Sequence, residues 1–229
     1  MYTLHHDILD APSRTIRLLL AEYGLETTLL HEQLWERREA FLRLNPAASL
    51  PVLIDGTTTV VGAQVGLEYL DETVGTMKGD ARLVPGDAVA RAEMRRLVDW
   101  ALVKLEREVM RYAVHERATK RLMPREAGGG TPDSQALRAA RANIRFHLAY
   151  LNWLADTRPW MAGDRMSHAD LAVAAALSVL DYLGEVDWAK ESPLRDWYAR
   201  MKSRPSFRPL LADRIRGLPP VSAYADLDF

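Results

Sequence analysis

The spacing of apolar residues changes from strand-like to helical along the chain. Four short apolar runs favour β-strands, at 1–6, 27–30, 50–54 and 57–61. Between the first two runs, apolar residues recur every three or four positions, which predicts a helix with Asp10 as its N-cap and Gly24 at its end. A more charged helix is expected at 36–44, and another from Gln64. The order β-α-β-α-β-β-α predicts a mixed four-stranded sheet with a right-handed parallel crossover.

The rest of the chain follows a helical pattern. Residues 75–86 contain three glycines and a proline without periodicity, so we expect a domain linker there. Apolar stripes then predict five helices, at 94–109, 137–154, 171–183, 194–203 and 206–214. The third of these is apolar all round, which indicates a central buried position, and Ser167 with Asp170 forms a capping-box variant before it. We therefore divide the chain into a first domain, a linker, an all-helical domain and a C-terminal extension, at 1–76, 77–86, 87–216 and 217–229.

The stretch around Pro51 has a special backbone geometry. Leu50-Pro51 opens a strand, and a proline in this place favours a cis peptide bond in a tight turn. Asp55-Gly56 then predicts a hairpin turn. We expect the backbone of Leu50 to lie open at this edge, where an extended ligand could add as a further strand.

Composition excludes several classes of function. The chain has 229 residues and a formal net charge of −1, which gives no electrostatic basis for binding nucleic acid or an anionic membrane surface. Without cysteine it has no disulfide, thiolate nucleophile or cysteine-ligated metal. His5 and His6 are neighbours on a predicted strand and point to opposite faces, which argues against a shared metal ion. Since no signal peptide or membrane-spanning run is found, we expect a cytoplasmic protein with no metal and no cofactor.

Several motifs together resemble the glutathione S-transferase superfamily. They cover roughly residues 1–214 and are Ser13-Arg14-Thr15-Ile16-Arg17, Asn45-Pro46 with Leu50-Pro51-Val52-Leu53, Glu68-Tyr69-Leu70, and Gly163 with Ser167-His168-Ala169-Asp170. The resemblance implies an α/β plus all-α fold, with a thioredoxin-like N-terminal domain followed by an all-helical C-terminal domain. It also implies a homodimer in which the first domain of one subunit meets the long helices of the other.

The resemblance also implies a glutathione site that this chain has partly lost. In the superfamily, a hydroxyl or thiol at the start of the first helix stabilises the glutathione thiolate, and Ser13 matches that position. Ser13 could equally serve only the first turn of its helix. Leu50, before Pro51, matches the residue whose backbone pairs with glutathione. The two polar residues that hold the γ-glutamyl group correspond to Gly62 and Ala63, which have no polar side chain, so we expect a degenerate site without a catalytic residue.

Two alternatives remain open at the level of sequence. One is an active glutathione S-transferase in which Ser13 stabilises the thiolate and the C-terminal extension covers the substrate cleft. The other is a cleft that binds a peptide or a small acid other than glutathione.

The C-terminal extension carries a second resemblance. After Pro219-Pro220, apolar and aromatic residues alternate with acidic ones, at Tyr224, Asp226, Leu227, Asp228 and Phe229. Such a segment suits docking, either on a partner or on the protein's own domains. Together with the degenerate site, it resembles the FzlA family, transferase-fold proteins without enzymatic activity that bind FtsZ filaments at the division site. Members of that family curve and stabilise the filaments to support constriction.

This second resemblance implies a protein-binding surface built from Trp35 and the five tail residues named above. Trp35 follows the second predicted strand and precedes a charged run, so it lies at a polar junction. Tryptophan is a frequent interface anchor because it buries a large area at low entropic cost. The alternative is a tryptophan of the core or of the contact between domains.

Overall fold

The first part of the chain folds around one mixed sheet, in a computed structural model that describes residues 1–188 and 192–227. Its strands are Tyr2–His6 (β1), Thr27–His31 (β2), Val52–Asp55 (β3) and Thr58–Val61 (β4). They lie in the order β2-β1-β3-β4, with β1 parallel to β2 and antiparallel to β3. The predicted four-stranded mixed sheet is confirmed.

Three helices accompany the sheet, at Ala11–Glu22 (α1), Glu39–Leu44 (α2) and Ala63–Thr73 (α3). Asp10 caps α1, because its Oδ2 accepts a hydrogen bond from the amide of Ser13 at 2.7 Å. Gly24 follows the helix with a φ of 68°, as expected for a residue that ends a helix in the left-handed region.

Helix α2 begins later than the sequence predicted. A 3₁₀ turn at Leu34–Glu36 comes first, and Arg37 then takes a left-handed conformation with a φ of 47°. A left-handed residue cannot continue a right-handed helix, so the predicted helix from residue 36 starts only at Glu39. The turn leaves Trp35 on a loop between β2 and α2.

The remainder is helical. Helix α4 starts with Ala88–Asp99 and continues to residue 122, with π-helical turns at Trp100–Lys104, Glu106–Met110 and His115–Thr119. Four further helices follow, at Ser134–Thr157 (α5), His168–Tyr182 (α6), Pro193–Lys202 (α7) and Arg208–Ala212 (α8). The single helix expected at 206–214 is instead a 3₁₀ turn at Pro205–Phe207 followed by α8. Among the described residues, no helix combines the length and the apolarity needed to cross a membrane.

Two 3₁₀ turns, Gly75–Met77 and Gly79–Ala81, connect α3 to α4. Leu83 in this connection contacts both parts of the chain. Its amide donates to the hydroxyl of Tyr23 at 3.4 Å, and its carbonyl accepts from the amide of His168 at 3.2 Å. The connection is therefore fixed on both sides, and the division of the chain into domains at 77–86 stays a prediction.

Helix α6 is the centre of the molecule, since all of its residues are buried. It packs against α1 on one side and α4 on another. Its capping box is formed as expected: Asp170 accepts from the amide of Ser167 at 2.9 Å. Asp170 also accepts from the amide of Met161 at 2.8 Å and from the indole of Trp197 at 3.2 Å. One carboxylate thus joins the start of α6 to the preceding loop and to α7.

We expect Asp170→Ala to lower the free energy of unfolding by about 3 kcal/mol or more, because it leaves several buried donors without an acceptor. Asp133→Ala is the matched control. Asp133 caps the exposed start of α5 through the amides of Gln135 and Ala136, and losing an exposed cap costs about 1 kcal/mol. Urea unfolding followed by circular dichroism measures both, and equal losses in the two variants would contradict the central role of Asp170.

Candidate functional site

A cleft lies between the loops of the first domain and helix α4. It consists of two adjoining cavities, which we call the first and the second cavity, of about 370 and 260 Å³. Trp35, Asp7 and Leu9 line both. Leu50 and Glu106 line the first cavity only. An interdomain cleft of this size is a usual place for a ligand or a partner segment.

Of the predicted site residues Leu50 and Pro51, Leu50 lines the first cavity. The peptide bond between them is cis, which confirms the sequence prediction. Pro51 is buried and its carbonyl accepts from the amide of Gly62 at 2.9 Å. Leu50 is only partly buried and lines the cavity. The edge that a strand-like ligand could use is therefore present.

Ser13, in contrast, does not face the cleft. Its side chain is fully buried, and its Oγ accepts from the amide of Asp7 at 3.4 Å. It lines neither cavity. A hydroxyl that stabilises a thiolate has to reach the sulfur, so this placement favours the reading in which Ser13 serves its own helix and loop.

The group that the cleft does present at the start of α1 is a carboxyl, Asp10. Burial raises its pKa to about 7, and burial also raises the pKa of Glu106 on the opposite wall. Asp10 caps the helix and so occupies the positive end of the helix dipole. A carboxyl that already occupies this helix start leaves less of the helix dipole to stabilise a bound thiolate, which makes the position less suited to glutathione chemistry.

The γ-glutamyl end of the expected site carries no polar side chain. Gly62 precedes α3 with a φ of 89°, a conformation that strongly favours glycine. Ala63 is buried as the first residue of α3. The missing pair of charge-assisted hydrogen bonds costs roughly 1.5–3 kcal/mol each, which corresponds to an affinity for glutathione lower by about a hundredfold or more.

Trp35 lies at the boundary of the two cavities. It is partly buried, on the 3₁₀ turn after β2, and lines both cavities. A partner that enters the cleft would therefore meet its ring from either side. This position agrees with an interface residue at a cleft mouth and differs from a residue of the closed core.

The predicted tail residues separate into two groups. Tyr224 is fully buried, so it cannot belong to an exposed binding surface in this conformation, and the alternative of docking on the protein's own domains holds for it. Asp226 is exposed and Leu227 is 43 % exposed. Asp228 and Phe229 lie outside the described residues. The tail also contains a 3₁₀ turn, Ser222–Ala225, where no helix was expected, and this turn directs Tyr224 inward.

Arg14 holds Tyr224 in place. This guanidinium is fully buried and donates to the hydroxyl of Tyr224 at 2.9 Å, to Ser178 Oγ at 2.7 Å and to the carbonyl of Ile8 at 2.6 Å. The rings of Tyr182 and Tyr224 lie 5.8 and 5.9 Å from it, within cation–π range. Because Ile8 belongs to the loop that lines the second cavity, Arg14 connects the tail to the cleft.

Three further contacts fix the path of the tail. The buried Lys202 donates through Nζ to the carbonyl of Asp226 at 2.5 Å. The amide of Val221 donates to the carbonyl of Tyr182 at 3.2 Å. The side chain of Val221 also packs closely against Gly184: a Cβ added to Gly184 would lie 2.6 Å from Val221 Cγ1. The tail is thus held on the helical domain at Val221, Tyr224 and Asp226, while the side chains of Asp226 and Leu227 are exposed.

Sequence reasoning did not find Arg14, Lys202 or the two carboxyls of the cleft. Arg14 stands in a motif that the sequence analysis noted, but its helix was expected to have a polar face in water. In the fold, α1 is covered by the sheet and by α6, so nearly all of its residues are buried. Among the described residues, no group of three or more metal-ligating side chains comes together.

The sequence and the structure were compared with known proteins. The N-terminal domain family of glutathione S-transferases matches residues 12–73, and the C-terminal domain family matches residues 131–225. The chain is 42 % identical over 231 residues to FtsZ-localized protein A of Caulobacter vibrioides, covering 99 % of this chain and 98 % of that protein. The chain belongs to the FzlA family, within the glutathione S-transferase superfamily.

Solved structures agree with membership in the FzlA family. The structure of FzlA from C. crescentus superimposes with a TM-score of 0.92 at 42 % identity, covering 100 % of this chain and 99 % of that one. A structure described as a glutathione S-transferase from Sinorhizobium meliloti 1021 has a TM-score of 0.98 at 56 % identity, with both chains fully covered. The transferase-like fold with its thioredoxin-like first domain is thereby confirmed.

The tail contacts lead to a prediction. We expect Tyr224→Phe to lower the free energy of unfolding by about 1–2 kcal/mol, because Arg14 loses an acceptor and the carbonyl of Leu210 loses a donor. Amide hydrogen exchange at residues 221–226 should accelerate more than in the rest of the protein. Tyr112→Phe is the control, since Tyr112 is 42 % exposed and should change neither quantity. Unchanged exchange in the tail of Tyr224→Phe would contradict the anchoring role.

Proposed function

We propose that this protein is a non-enzymatic cell-division protein that binds FtsZ filaments at the division site, curving and stabilising them to support constriction. The observation that carries the proposal is the 42 % identity to FtsZ-localized protein A over 99 % of the chain. The geometry of the expected glutathione site supports the proposal independently. Ser13 is buried away from the cleft, a carboxyl stands at the helix start, and no polar side chain is present for the γ-glutamyl group.

The binding surface that we propose consists of Trp35 and the outward end of the tail, Asp226 to Phe229. Trp35 supplies a partly exposed aromatic anchor at the cleft, and Asp226 and Leu227 supply an exposed carboxylate and an exposed apolar side chain on the tail. Tyr224 takes a different role from the one expected. It anchors the tail, and the side chain of Asp226 beyond it is exposed.

We further propose a homodimer, as the superfamily resemblance implies. Large apolar side chains are exposed on α3, α4 and α5: Val65 is 59 %, Val89 81 % and Phe146 63 % exposed. A cavity of about 660 Å³ lies between α3 and α4 beside Val65. Apolar groups exposed on neighbouring helices favour a contact with a second copy around a twofold axis.

We expect the wild-type protein to sediment with polymerised FtsZ, and Trp35→Ala and Asp226→Lys to bind about tenfold more weakly or worse, as is usual for interface anchors. Asp228→Lys should weaken binding in the same direction. Co-sedimentation over a range of protein concentrations gives the affinities. Analytical ultracentrifugation of the same samples should show twice the mass of one chain.

The controls are matched in chemistry. Trp160→Ala removes a partly buried tryptophan that lies under Arg200, away from the cleft. Asp196→Lys reverses an exposed charge on α7. Both should bind like the wild type. The proposal fails when the wild-type protein stays in the supernatant, or when Trp35→Ala and Asp226→Lys bind as well as these controls.

An active glutathione S-transferase is the second candidate. Two observations favour it: the 56 % identical structure from S. meliloti is described as a transferase, and the first cavity is open at Leu50. In that case Ser13 would stabilise the thiolate.

We expect glutathione at millimolar concentration neither to raise the temperature of unfolding nor to retard the protein on a glutathione column, because the γ-glutamyl contacts are missing. A raised unfolding temperature, together with conjugating activity that Ser13→Ala abolishes, would establish the transferase instead. The measurement is differential scanning fluorimetry with glutathione and, as a control, with an unrelated tripeptide.

A further inference from the structure

The second cavity has an apolar interior and a basic rim. It lies between the loop that carries Trp35, the last turns of α4 and the chain just after α8. Its apolar lining is formed by Ile8, Leu9, Val114, Ala118, Leu122 and Ile215. The polar part of the lining is formed by Asp7, His31, Gln33, Thr119, Arg214 and Arg216. An apolar pocket with a few convergent polar groups is the usual form of a binding site.

The two arginines of the rim keep their positive charge available. Arg216 is exposed and has no hydrogen bond or ion pair with any residue in the part of the chain that the structure describes. Arg214 is also exposed and donates only to two carbonyls of its own segment, those of Leu211 and Asp213. Carbonyl oxygens carry no net charge, so neither guanidinium is neutralised.

Two acids stand near these arginines, Asp213 and, in the cavity lining, Asp7, and both already have partners. Asp213 accepts two hydrogen bonds from Arg17, at 2.7 and 2.9 Å. Asp7 accepts from the amide of Leu9 at 2.7 Å and lies 3.3 Å from His31, whose pKa it raises. The excess charge at the mouth of the second cavity is therefore positive, although the whole chain carries −1.

Trp35 forms the wall between this basic mouth and the first cavity. Tryptophan and arginine are the residue types that most often anchor protein interfaces. A guanidinium binds a carboxylate through two parallel hydrogen bonds, and the apolar interior can take an aliphatic or aromatic side chain. A phosphate backbone would leave that interior empty, and a basic segment would be repelled by the rim.

We propose that the second cavity binds an acidic segment of a protein partner, with one apolar side chain inserted beside Trp35 and flanking carboxylates on Arg214 and Arg216. When the partner is FtsZ, this proposal rests on the proposed function. It then specifies that the filament presents an acidic segment with one apolar side chain. It also adds Arg214 and Arg216 to the binding surface. The residues predicted from the sequence were only Trp35 and those of the tail.

The first test uses the double variant Arg214→Glu/Arg216→Glu in co-sedimentation with polymerised FtsZ. We expect binding at least about tenfold weaker than wild type, and a wild-type affinity that falls with rising salt more steeply than that of the variant. The control Arg138→Glu/Arg145→Glu reverses two exposed charges on α5, outside both cavities, and should bind like the wild type. If the rim variant binds FtsZ as tightly as the wild type does, the inference is wrong, and the proposed function still stands.

The second test does not depend on FtsZ. The probe is a fluorescent synthetic peptide with a leucine flanked by aspartates, and the matched peptide has lysines in place of the aspartates. Anisotropy should show saturable binding of the acidic peptide to the wild type, a loss of at least about tenfold in the rim variant and in Trp35→Ala, and no binding of the lysine peptide. If neither peptide binds, or both bind equally, the inference is wrong even when FtsZ binds. Circular dichroism and urea unfolding of each variant check that these exposed substitutions leave the fold intact.

Discussion

The buried guanidinium of Arg14 is the constraint on which the arrangement of cleft and tail depends. Removing a full charge from water is costly unless it is paired and hydrogen-bonded, and breaking such an arrangement costs about 3–5 kcal/mol. Arg14 donates to three separate pieces of chain: the loop at Ile8, the central helix at Ser178 and the tail at Tyr224. Its Nη2 lies 3.9 Å from Asp213 Oδ2 and has no hydrogen-bond acceptor among the described residues, so losing any of the three contacts would leave the buried charge with still fewer partners.

In this chain, the residues that maintain the fold of the cleft are kept, whereas the polar side chains that would bind glutathione are absent or buried. The cis bond before Pro51 and the hairpin keep the scaffold, while Gly62, Ala63 and the buried Ser13 leave the scaffold without the groups that would hold glutathione. The surface that we propose for binding lies further out, at Trp35, at the arginines after α8 and at the tail.

The parts of the structure that were predictable from sequence have local causes. Asp10 and Gly24 bound α1, Asp55-Gly56 makes the hairpin, and Ser167 with Asp170 caps the central helix, each through contacts only a few residues apart. The shift of α2 was not predictable, because nothing in the sequence marks Arg37 as left-handed. The burial of Tyr224 was missed for a different reason: its partners are 14 and 210 positions away, and pattern reasoning does not see contacts of that range.

The 210 positions between Arg14 and Tyr224 also have a consequence in time. A ribosome adds residues in order, at about 5–20 per second, and first domains fold while later ones are still being made. The last acceptor of Arg14, Tyr224, is therefore synthesised at least about ten seconds after Arg14. By then, the helix that carries Arg14 has left the exit tunnel. Because residues 214–216 line the second cavity, the cleft too is complete only after the helical domain has been synthesised.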